Sequence, residues 1–134
     1  MKTWSVMFLI FALTVALAPA FAAQKSIPGV PKYDPTTEAV FKGTVEAVTD
    51  RQCPVSGGMG SHVLLKLADG STIEVHLATS KFVKIYDLVI NKGDEIEVTG
   101  SKVKFEGVDT IFARQVKVGT DTYVFRDKDG KPVW

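Results

Sequence analysis

The sequence predicts a mostly β fold, a small closed barrel of five strands plus an extra C-terminal strand, with one short helix between strands three and four. Three observations carry this reading. After residue 38, apolar residues recur at every second position in six separate runs. Short connections containing Gly, Asp or Asn separate most of those runs. One central segment, "TSKFVKIYDLVINKGD", abandons the period of two and places Phe82, Ile85, Tyr86 and Val89 at helical spacing.

The first predicted strand is Ala39 to Val48, with Phe41, Gly43, Val45 and Ala47 on one face. Gly43 inside it predicts a bend or bulge of the kind a tightly coiled barrel needs. A glycine-rich loop follows. The second and third strands, "SHVLLKL" and "STIEVHLA", are joined by Ala68-Asp69-Gly70, a three-residue hairpin loop with Gly70 in the left-handed conformation. Thr79 or Ser80 caps the helix and Gly93 ends it. "DEIEVTGSKVKF", with Gly100 as a break, is the fourth strand, "DTIFARQVKV" the fifth and "DTYVFRD" the sixth. "DKDGKPVW" closes the chain in a turn, leaving Trp134 to fold back onto the body. Three strands, a helix and two more strands is the order of the OB-fold, a Greek-key barrel, and closure removes the edges of an open sheet.

Ahead of this domain, Lys2 and the apolar run Trp4–Leu17 lead to small residues at "APAFAA". Residues 1–23 therefore read as a signal peptide cut after Ala22 or Ala23, and the mature chain as periplasmic or secreted. Residues 24–38, with Pro28, Pro31 and Pro35, read as an extended arm, and residues 39–134 as the barrel domain. No second apolar run of membrane length follows. Removing the leader takes away Lys2 and leaves 15 basic against 15 acidic residues. A neutral exported chain lacks the cationic surplus that neutralises phosphates, so nucleic acid is disfavoured as a partner. The single cysteine, Cys53, allows no internal disulfide; its own options are a buried thiol or an intermolecular bond that makes a dimer.

The runs "FKGTVEAV", "GDEIEVTGS" and "TIFARQV" and the ending "TYVFRDKDGKPVW" resemble exported bacterial OB-fold domain proteins over residues 39–134. The resemblance implies a small periplasmic or secreted barrel acting as a non-enzymatic binding or accessory module of the cell envelope, with a small ligand or another envelope protein as partner. Among relatives by fold, the chain is similar to the periplasmic copper and silver chaperone in architecture and ligand types, though not in ligand spacing.

The stretch "RQCPVSGGMGSH", Arg51 to His62, concentrates the chemistry. A three-residue loop at Ala68–Gly70 sets Leu65 opposite Ile73 and Val63 opposite Val75. The same register sets Lys66 against Thr72, Leu64 against Glu74 and His62 against His76. Directly opposed side chains have Cβ atoms about 5 Å apart, so two imidazoles there can share an ion. The loop adds Cys53 and Met59. Cys, Met and His suit Cu(I), and two His with a Cys suit Zn as well. The candidate metal ligands are thus His62, His76 and Cys53 or Met59, with Glu74 as a hard ligand or outer partner. The plain alternative is a solvated polar sheet face, with Met59 covering the barrel mouth.

Other chemistries find less. "SGGMGS" lacks the Gly-Lys-Ser/Thr ending of a phosphate loop. No Ser-His-Asp order, nucleophile elbow or Cys-x-x-Cys-His haem site is present, and no catalytic residue is assigned. "RDKDG" lacks the spacing of a calcium loop. An oligosaccharide or single-stranded nucleic acid would need an aromatic or basic platform, and the predicted outer face of strands two and three has neither.

Overall fold

The fold turns on a hairpin register that the sequence dictates and a ring that the register lets close. In a computed structural model, which describes residues 29–134, six strands form one sheet. They are β1 (Glu38–Cys53), β2 (Gly58–Leu67), β3 (Thr72–Thr79), β4 (Glu95–Phe105), β5 (Val108–Val118) and β6 (Asp121–Val124). Strand order is β3-β2-β1-β4-β5-β6, and a parallel pairing of β3 with β5 closes the first five into a ring. This is the OB-like Greek-key barrel expected, with β6 as the additional strand. The predicted signal peptide, residues 1–23, lies outside the described residues.

The β2–β3 hairpin adopts the predicted register. Leu65 pairs with Ile73, Val63 with Val75, Leu64 with Glu74 and His62 with His76. Gly70 takes φ +84°, the left-handed conformation its loop requires. Two other glycines let the barrel coil. A Cβ on Gly43 would strike the Lys66 carbonyl oxygen, and one on Gly100 would strike that of Phe112. The ladder between β4 and β5 slips at Thr99/Gly100, the predicted break. Inside the ring, Val45, Val63, Leu65, Val75, Leu77, Val98, Ile111, Val116 and Phe125 form the core. Each such side chain contributes about 1.5–3 kcal/mol of burial.

Several boundaries differ from the sequence reading, and β6 stops at Val124 rather than Asp127. The β1–β2 loop shrinks to Pro54–Gly57, because β1 runs on to Cys53 and β2 begins at Gly58. Cross-strand pairs such as Arg51–Gly60 and Cys53–Gly58 extend the ladder into what composition marked as loop. The helix, α1 (Ser80–Ile85), is capped as expected by Thr79 Oγ1, which accepts from Phe82 N at 3.2 Å. It stops at Ile85 rather than Gly93, with Asp87 in the left-handed region at φ 51°. Ahead of β1, Pro35–Thr37 make a 3₁₀ turn whose cap is Asp34. Tyr33 lies so close to Gly130 that any side chain at 130 would strike its ring.

Gly100→Ala forces β4 and β5 apart and is expected to cost about 1–3 kcal/mol. Gly58→Ala, in open space within β2, is expected to change stability by less than about 0.5 kcal/mol. Urea unfolding of the two variants checks the contrast.

Candidate metal centre

Of the predicted metal residues, Cys53, His62 and His76 lie on the outside of the ring, yet they are buried. At the His62–His76 end, β2 and β3 are covered on both faces: Ser61, His62 and Val63 are buried in succession, as are Val75 to Ala78. The expected solvated polar face is therefore replaced by a second, smaller core. Cys53, Phe105 and Phe112 anchor it, with Val30, Tyr33, Val55 and Val103 packed against them. Arg126 and Trp134, from the segment after β6, add the remaining cover.

The site is assembled by register. His62 pairs with His76, and His76 also pairs with Phe112 across the parallel β3–β5 closure. Thr49 on β1 pairs with His62, so Arg51 and Cys53, two and four residues on, share the imidazole face. Gly60, opposite Arg51, leaves a gap on that face. A Cβ there would lie 2.5 Å from Ser56 Oγ, 3.1 Å from Cys53 Cβ and 3.4 Å from His62 Cε1. The missing side chain at position 60 is thus the space on which Cys53, Ser56 and His62 converge.

One ligand atom from each of Cys53, His62 and His76 falls within 4.8 Å of the other two. Cys53 is 2% exposed, His62 2% and His76 1%. The imidazole centroids are 5.0 Å apart with their planes inclined at 60°. Ser56 Oγ lies 2.9 Å from His76 Nε2. His76 Nδ1 and both nitrogens of His62 have no hydrogen-bond partner among the described residues. Leaving such groups unsatisfied costs about 1–3 kcal/mol each, and a bound ion would recover that cost.

Electrostatics keeps both rings neutral. Burial pushes the His76 pKa down to about 3, assisted by the neighbouring His62, Arg126 and Arg51. Burial and then Arg51 lower that of His62. A neutral imidazole is the form that ligates. Glu74, considered as a hard ligand, is instead ion-paired with Arg51. Met59 is 44% exposed and stands outside the buried trio.

Sequence reasoning missed Ser56, Gly60, Phe112 and Arg126 as parts of this site. Ser56 and Gly60 stood within the conspicuous stretch but carried no signal of their own. Trp134 was expected to pack back, and it does so onto His76, at 6.0 Å between ring centroids.

Fold and site together define a small closed β-barrel carrying a buried Cys-His-His cluster on its outer face. The chain belongs to the MamS/MamX magnetosome protein family, a bacterial family that matches residues 37–123. That span includes all three cluster residues and ends before Arg126 and Trp134. No curated protein matches the chain. Among the described residues, no helix is long and apolar enough to cross a membrane.

Because the folded chain resists protonating His76 until about pH 3, while an unfolded histidine takes a proton near pH 6.5, the unfolded state binds more protons between those values. The stabilisation is complete above about pH 6.5 and is lost as pH falls, at up to about 1.4 kcal/mol per pH unit per histidine. Urea unfolding between about pH 7 and about pH 5 is expected to show a shallower acid loss for His76→Phe than for the unaltered chain.

Proposed function

We propose that this protein is an exported, non-catalytic accessory module of the bacterial envelope that binds one transition-metal ion, Cu(I) or Zn(II), through Cys53, His62 and His76. The observation that carries the reading is the coincidence of three soft or borderline donors, all buried, with three imidazole nitrogens that have no hydrogen-bond partner. Most buried side-chain polar atoms have a hydrogen-bond partner; both nitrogens of His62 are unpartnered among the described residues.

The donor set fits the ion chemically. One thiolate and two imidazoles satisfy a three-coordinate Cu(I), and Zn(II) would take them with a fourth oxygen donor. Ser56, already 2.9 Å from His76 Nε2, is placed to orient that ring or to supply the oxygen. The thiol releases a proton on ligation, so affinity falls as pH is lowered. The leader-like first 23 residues support export to a compartment where such ions are met. The family's description as a magnetosome protein family supports an accessory role in a bacterial structure.

Titration of the reduced chain with Cu(I), and separately with Zn(II), is expected to show one ion per chain for at least one of the two. Cys53→Ala, His62→Ala and His76→Ala are each expected to weaken binding by at least about 100-fold, the upper end of what loss of a mere outer partner of a ligand costs. Met59→Ala is expected to leave it unchanged. Unaltered affinity in all three cluster variants would refute the assignment.

A further inference from the structure

Arg126 is the one buried cation among the described residues, at 5% exposure. Its Nη1 donates to the Gly130 carbonyl at 2.9 Å, and its Nε has no partner. None of the ion pairs among the described residues includes it. The guanidinium instead lies over three rings: Trp134 at 4.8 Å, Tyr33 at 5.5 Å and Phe112 at 5.6 Å from the centroids. Trp134 and Phe112 are also the rings against His76, at 6.0 Å and 5.7 Å. A fixed positive charge is thus held one aromatic layer from the Cys-His-His cluster.

A buried charge without a carboxylate partner is costly. Anchoring the Asp127–Gly130 turn explains its hydrogen bond to the Gly130 carbonyl and not the placement of its charge beside the cluster. Resting on the metal-binding reading above, we infer that Arg126 is a specificity-determining residue that biases the cluster toward a monovalent soft cation, Cu(I), and against divalent Zn(II) or Cu(II).

In a dry site the net charge of the ion and its ligands decides how a neighbouring cation acts on it. Either ion requires the Cys53 thiolate and two neutral imidazoles, so the interaction of Arg126 with the thiolate is common to both. Cu(I) with one thiolate is neutral. Zn(II) or Cu(II) with one thiolate carries a net positive charge, which Arg126 repels. At an effective dielectric of about 20, a unit charge about one ring-layer away is worth roughly tenfold in affinity. The guanidinium is cationic throughout the physiological range, so the bias is permanent.

The test compares Cu(I) and Zn(II) affinities, by chelator competition under reducing, oxygen-free conditions, for the full chain, Arg126→Gln and Arg126→Lys. Neutralising Arg126 is expected to improve Zn(II) binding relative to Cu(I) by about tenfold, whereas Arg126→Lys, which keeps the charge, is expected to hold the original ratio. Arg126→Met supplies a neutral side chain of similar length if the glutamine variant does not fold. A purely structural role would weaken both ions together and leave the ratio unmoved. An unmoved ratio in a folded neutral variant, with the unaltered chain binding metal, overturns this inference alone. Failure of the unaltered chain to bind either ion overturns the metal-binding reading and this inference with it.

Discussion

The pairing of His62 with His76 across the β2–β3 hairpin is the constraint on which the rest of the site depends. It follows from a three-residue turn with Gly70 at positive φ, and from apolar residues that must face the barrel interior. Because side chains alternate along a strand, placing Val63, Leu65, Ile73 and Val75 inside leaves the two histidines no freedom but the outer face. A slip of one residue in either strand would turn that strand's core side chains, Val63 and Leu65 or Ile73 and Val75, out of the interior. The hydrophobic core therefore holds the imidazole pair in register far more firmly than contacts between the rings themselves could.

An outer face of a small barrel is ordinarily wet. Here, besides Val30 and Tyr33 ahead of β1, it is dried by three segments that the five-stranded ring does not itself need: the extension of β1 and β2 around the Pro54–Gly57 turn, the far ends of β4 and β5, and the tail carrying Arg126 and Trp134. Each brings a different part of the chemistry. The first supplies Cys53 and Ser56, the second Phe105 and Phe112, the third a caged cation. The tail is fixed by the Arg126–Pro132 bridge and by Val133 N donating to the Phe125 carbonyl. Excluding water in this way keeps the histidines neutral. It also turns the nearby guanidinium from a screened surface charge into one that the cluster feels.

Much of the fold was legible because alternation and turn chemistry act locally. Leu65 opposite Ile73, the Gly70 turn, the Thr79 cap and the slip at Gly100 all follow from neighbours in sequence. The His62–His76 pairing was legible for the same reason. Its burial was not, since that depends on Phe112, Trp134 and Arg126, which arrive from 36 to 72 residues away along the chain from His62 or His76. Composition also misled at Arg51–Cys53 and Gly58–Gly60, where glycine marked a loop and the chain instead continued a strand. Gly60 is needed there for lack of a side chain, a requirement visible only once Cys53, Ser56 and His62 converge on it.

The central claim is that the barrel presents one thiolate and two imidazoles to a single ion. X-ray absorption at the metal edge of the Cu(I)-loaded full chain tests it most directly, because the first coordination shell distinguishes sulfur from nitrogen donors. One sulfur and two imidazole nitrogens per copper is the predicted result. A shell of nitrogen and oxygen alone, or one with two or more sulfurs, would contradict the account and place the ion elsewhere or between chains.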